Sequence, residues 1–199
     1  MKKPAFLFAL LLCVALAACG QPDPTPTPSS ELSAEPSAAV AAPVEPTPTE
    51  TAEQTATLYI GTKAGGFTEY PMTYTGDLTP ETLIQGISDL TGWDLTLEGE
   101  VISGKEGMSV CLSDQSALFV GPPDPQKEEF HMYDVGQLSQ TILDSIQKTL
   151  QEGFTLEGGD PDALDIWYYL EGEKPLELPT LNLSWPLDQP YQWENGVSQ

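Results

Sequence analysis

Residues 163–172 read ALDIWYYLEG, and this stretch decides the fold. With a period of two, Leu164, Ile166, Tyr168 and Leu170 share one face, and Trp167 and Tyr169 take the other. Apolar groups on both faces predict a strand inside a sheet rather than at its edge. A strand so placed needs partners on either side and a helix to cover at least one face, and both are sought in the flanking sequence.

Upstream, Leu138, Ile142, Ile146 and Leu150 recur every four residues and predict one apolar stripe of a helix. Asp134 is its expected N-cap and Gly153 its terminator. Before it, SALFVGPPDPQ (116–126) reads as a proline-rich loop. LTLEGEVISGKEGMSVCLS (95–113) reads as a β-hairpin: Leu95, Leu97 and Val101 on one strand, Met108, Val110 and Leu112 on the other, and Gly104 to Gly107 as the turn. Alternation then points Cys111 away from the face of Val110 and Leu112. An earlier helix carries clear punctuation. Thr79 is the N-cap, Pro80 opens the helix, Glu81 lies in its first turn, Leu83, Ile84, Ile87 and Leu90 line one side, and Gly92 ends it. TLYIGTK (57–63) predicts a first strand, and EYPMTY (69–74) a second, held to an edge by Pro71. After the central strand, LNLSWPLDQPYQW (181–193) reads as a short strand and then loop. The order ββαββαβ, without a regular βαβ alternation, predicts an α+β fold: a small mixed β-sheet with two helices packed on one face.

The first residues are of another kind. Lys2 and Lys3 precede an apolar run from Phe6 to Ala17, about a dozen residues and short of the roughly 20 needed to span a bilayer. Its end, Leu16-Ala17-Ala18-Cys19, resembles the lipobox of bacterial lipoproteins, which implies a signal peptide over 1–18, cleavage before Cys19 and acylation of that cysteine. Two acyl chains anchor stably where one is marginal. Residues 20–56 hold eight prolines and neither an aromatic residue nor a lysine. Such composition buries too little apolar surface to offset its ordering entropy. The expected organisation is therefore a leader (1–18), a lipidated cysteine and disordered linker (19–56), a folded domain (57–187) and a C-terminal tail (188–199). The linker holds the domain off the outer face of a cell membrane of the Gram-positive type.

Charge narrows the partners. From Thr57 onward there are 24 acidic residues against five lysines, and the whole chain has no arginine. A nucleic-acid binder needs a basic footprint, so that class is excluded. Basic proteins and divalent cations suit such a surface, and an acidic surface also serves solubility.

Several segments together resemble the GerMN domain of sporulation and spore germination lipoproteins of Firmicutes. They are Leu58-Tyr59-Ile60 for its leading strand, Val110-Cys111-Leu112-Ser113 with Phe119 for its "VDLS" strand end, Thr149-Leu150 late in the second helix, and Glu171-Gly172 after the last strand. Cysteine stands at 111 where the family pattern has aspartate, and Gly92-Trp93 replaces a glycine-proline stretch. The resemblance covers about residues 57–187. It implies a non-enzymatic interaction module, similar in fold to ring-building domains of envelope assemblies, working through contacts with envelope proteins or peptidoglycan in the envelope or the spore.

The sequence carries no GxSxG, HExxH, CxxC or phosphate loop, and His131 is its one histidine. Cys111 with His131 would be the only thiol–imidazole pair, and nothing in the spacing aligns them. Asp160, Asp162 and Asp165 are a weak candidate for a calcium site, because the run lacks the glycine and the closing glutamate of an EF-hand loop. Paired carboxylates of a wall hydrolase are a third class, and in so acidic a domain pairs arise by chance. No cofactor is implied. Trp167, Tyr169, Trp185, Tyr191 and Trp193 are a candidate contact surface, since flat rings stack on sugars and anchor interfaces, or else they fasten the tail over the sheet. The leading expectation is a lipid-anchored interaction domain. The alternative is a binding lipoprotein for a wall glycan, small ligand or divalent cation, using those rings or the Asp160–Asp165 run.

Overall fold

The computed structural model describes residues 52–104, 107–120 and 126–198. The leader, Cys19 and nearly all of the expected linker lie outside the described residues.

The chain is α+β. Strands β1 (Glu53–Gly61) and β2 (Phe67–Thr75) form an antiparallel hairpin of their own. The remaining strands form a mixed six-stranded sheet in the order β3-β4-β5-β6-β7-β8: β3 (Ile102–Ser103), β4 (Gly107–Cys111), β5 (Asp165–Leu170), β6 (Lys174–Leu178), β7 (Leu183–Trp185) and β8 (Val197–Ser198). β5 pairs in parallel with β4 and antiparallel with β6, so Asp165–Leu170 is an interior strand.

Helices α1 (Pro80–Thr91) and α3 (Val135–Phe154) start where their caps predict. Thr79 Oγ1 accepts from the Thr82 amide at 3.2 Å, and Asp134 Oδ1 from the Gln137 amide at 2.7 Å. Gly92 ends α1 in the left-handed region, at φ 79°. Gly153 does not end α3, which continues to Phe154. A Cβ there would lie 2.7 Å from Leu83 Cδ1, so this glycine lets α1 approach α3 rather than stopping the helix. α2 (Ala117–Val120) is a single turn within the expected loop.

β1 begins at Glu53, inside the stretch expected to be linker, because β2 offers it a partner as far as Thr75. Its other edge meets α3 instead of a strand. The Tyr59 amide donates to Thr149 Oγ1 at 2.9 Å and the Gly61 amide to Ser145 Oγ at 3.0 Å. Two helix hydroxyls thus satisfy donors that would otherwise offer an edge for aggregation. Pro71 lies on the edge strand β2, as expected.

The predicted 95–113 hairpin is interrupted. Leu97 bridges to Leu112, yet Ile102 pairs with Ser109, so the four residues 98–101 lie against the two residues 110–111. Gly99, at φ 91°, makes the bulge. One core joins Leu58 and Ile60, the apolar sides of α1 and α3, and Val110, Ile166 and Tyr168 from the sheet. No helix among the described residues is long and apolar enough to cross a membrane.

Candidate functional site

α3 covers only one face of the sheet. Ile166 and Tyr168 point toward it and are fully buried, and the Tyr168 hydroxyl donates to the Leu143 carbonyl at 2.7 Å. Trp167 and Tyr169 necessarily point the other way. Beside them on β4, the residues of that outer face are Gly107, Ser109 and Cys111, all small. Large rings along one strand and small side chains along the next make a trough.

The trough has a volume of about 650 Å³ and is bordered by Trp167, Tyr169, Ser109, Ile102, Leu187, Glu173 and Asp188, among others. Ile102 is 62 % exposed and Leu187 43 % exposed, although both are aliphatic. Gly107 is required at its floor. Its φ is 149°, and a Cβ would collide with the Asp165 carbonyl and reach within 2.8 Å of the Trp167 ring. Glu173 belongs to the β5–β6 turn, where Gly172 and Glu173 both have positive φ, 78° and 55°. The turn between the paired Leu170 and Lys174 has three residues, Glu171 to Glu173, and a glutamate in the left-handed region carries a conformational cost that glycine avoids and asparagine largely avoids.

Cys111 lies opposite Tyr169 in the register, on the outer face of β4 as alternation predicts. It is buried and free. Burial pushes its thiol above the usual range, and the charges of Glu98 and Glu171 push it further. A nucleophilic cysteine needs the opposite environment. His131 packs on Tyr133 at 4.3 Å between ring centroids, so the imidazole is engaged with that ring.

The five candidate rings do not form one surface. Trp185 and Tyr191 are buried, and they join Trp193 and Tyr168 in a cluster with centroid separations of 5.0–5.8 Å. The Tyr191 hydroxyl donates to Asp144 Oδ1 at 2.7 Å, its amide to the Ile166 carbonyl at 2.7 Å, and Trp185 Nε1 to the Gln192 carbonyl at 3.0 Å. These contacts fasten the tail, and the folded body therefore runs past residue 187 to β8. Only Trp167 and Tyr169 of the five line the trough.

The three aspartates are not gathered either. Asp160 Oδ1 accepts from the Asp162 amide at 3.1 Å, Asp162 lies 3.9 Å from Lys148 Nζ, and Asp165 opens β5. Among the described residues no three His, Cys, Asp or Glu side chains are grouped to hold a metal ion. Ile102, Ser109, Leu187, Glu173 and Asp188 went unnoticed in the sequence. Gly-x-Ser-x-Cys on one strand beside Trp-x-Tyr on the next was the available signal, and it becomes visible only with the parallel register. Compared with known families, curated proteins and solved structures, the chain gives no match in any of the three.

Proposed function

We propose that this chain is a lipid-anchored, extracytoplasmic interaction module, GerMN-like, which docks a partner in envelope or spore-related assembly and performs no chemistry itself. The observation that carries this reading is the trough on the uncovered face of β4 and β5. There Ile102 and Leu187 stay exposed beside two aromatic rings on a hydrogen-bonded strand platform. Exposed apolar groups gathered in one concavity are a feature of contact surfaces. The protonated Cys111 thiol, opposite Tyr169 on the neighbouring strand, argues against a nucleophile on this face. The lipobox ending at Cys19 supplies the anchor, and the proline-rich residues after it supply reach. A wall-glycan site is the second reading, favoured by the same two rings.

The test is crosslinking in living cells with capture of the full protein. The Trp167→Ala/Tyr169→Ala double variant is expected to lose envelope proteins that the parent recovers. Equal recovery from both would overturn the docking reading. Replacing Cys19 by alanine is expected to move the protein from membrane to medium, and retention on the membrane would overturn the anchor.

A further inference from the structure

We infer that the trough accepts a basic peptide segment of a partner protein, with a lysine or arginine side chain seated over Trp167 between Glu173 and Asp188. This rests on the docking reading above and specifies the chemistry of the partner.

Charge complementarity selects that occupant. Among the described residues, the charged side chains bordering the trough are both carboxylates, Glu173 and Asp188. Glu98 and Glu171 stand close enough to act on Cys111 on the same outer face of β4, and Glu173 close enough to act on Tyr169. Lys174, next to Glu173 in sequence, has its Cε 3.8 Å from where a Cβ on Gly172 would be and does not border the trough, while Lys105 and Glu106, between the bordering Gly104 and Gly107, lie outside the described residues. A cation over an indole face with carboxylates at its rim gains ring-quadrupole attraction and a charge-assisted hydrogen bond together. Arginine satisfies both with one planar group.

The other occupants meet repulsion. A second copy of the chain would bring another domain with 24 acidic residues and five lysines. The chain's own residues 20–56 hold six carboxylates, Asp23, Glu31, Glu35, Glu45, Glu50 and Glu53, and no lysine or arginine. An anionic wall polymer or lipid surface is repelled by the same rim. The turn adds a further observation. Glu173 occupies a left-handed position where asparagine would sit at little cost, and its side chain borders the trough.

The test is a titration of the full chain, in non-ionic detergent at roughly 0.15 M salt, with an acetylated and amidated peptide of alternating glycine and arginine. The same peptide with citrulline in place of arginine keeps the shape and removes the charge. Binding is followed at the indole NH resonance of Trp167, assigned with Trp167→Phe. The arginine peptide is expected to shift that resonance, and the citrulline peptide to bind about tenfold more weakly or worse. Glu173→Asn with Asp188→Asn is expected to weaken the arginine peptide about tenfold, with a melting temperature no lower than the parent's, because asparagine tolerates the turn. Glu69→Gln with Glu157→Gln removes the same charge from exposed sites elsewhere and is expected to change binding by less than about twofold.

Equal weakening in the two double variants would reduce the effect to the general field of an acidic surface and overturn the inference. Equal binding of the citrulline peptide would overturn it too, as would an N-acetylglucosamine oligomer that shifts Trp167 undiminished in Glu173→Asn/Asp188→Asn. Should the peptide fail while Trp167→Ala/Tyr169→Ala still abolishes capture in cells, the docking reading stands with an uncharged partner. Should both fail, neither survives.

Discussion

Alternate residues of one strand meet opposite fates in this protein. Ile166 and Tyr168 on β5 are sealed against α3, whereas Trp167 and Tyr169, their immediate neighbours, face a trough open to solvent. The inner face is made of packing: Val110, Ile166 and Tyr168 interlock with Ile142, Leu143 and Ile146. The outer face has rings beside small residues and carboxylates at the rim. The tail sharpens the contrast, because Trp185 and Tyr191 are as aromatic as Trp167 and Tyr169 yet are spent on holding the chain end. Ring count therefore says little about function; which face a ring takes, and what stands beside it, says more.

Gly107 is where both faces depend on one residue, and its replacement has the largest expected effect. Gly107→Ala forces a Cβ into the Asp165 carbonyl and is expected to separate β4 from β5, costing at least about 3 kcal/mol and removing the trough with the core. A melt within a degree of the parent would show that the close approach is not needed. Next, Ile166→Ala opens a hole on the sealed face and is expected to cost about 2–5 kcal/mol in urea unfolding. Trp167→Ala, one residue on, is expected to cost about 1–2 kcal/mol, since its ring is half-buried. If Trp167→Ala destabilised as much as Ile166→Ala, the two faces would not differ and the outer one would be core.

Reactivity and titration give smaller effects. Cys111 is expected to resist alkylation by iodoacetamide in the native protein and to react once urea unfolds it, because burial keeps the thiol protonated. Native reaction at the rate of a free thiol would contradict that. Two carboxyl groups then test pH with opposite signs. Burial holds the Asp144 carboxyl above its usual range, the hydroxyl of Tyr191 offsetting only part. The native state then holds that proton more tightly than the unfolded chain, so stability falls as pH rises from the ordinary aspartate value of about 3.9 through the native one. Asp144→Asn should remove this loss at neutral pH and matter little in acid.

Glu81 is the reverse. Burial alone would raise it, but the Val101 amide, 2.6 Å from Oε1, its own amide and the Thr79 hydroxyl together hold it below the usual range. Its contribution is present above the ordinary glutamate value of about 4.3 and is lost as pH falls through the native one. Glu81→Gln should therefore destabilise at neutral pH and not in strong acid. Urea melts across that range check both signs.

The elements that were legible in the sequence are those with local causes. Thr79-Pro80 and Asp134 cap helices through contacts three residues away, and the two faces of β5 follow from alternation alone. What was missed depends on partners distant in the chain. Gly153 looks like a stop signal until Leu83 is placed beside it. The interruption between Leu97 and Ile102 needs the register of β4, and β6 and β8 need strands to pair with. The same holds for the site: Trp167 and Tyr169 were named, while Ser109, Ile102 and Glu173 join them only through the parallel pairing of β4 with β5 and the tight turn into β6.

The central claim is that the outer face of β4 and β5 is where a partner docks. The most direct measurement places a photoreactive amino acid at Ile102, on that face, or at Leu156, which is 86 % exposed just beyond α3, and crosslinks in living cells. The account predicts a discrete adduct with one envelope protein from position 102 and none from 156. Identical adducts from both positions, or none from 102, would contradict it.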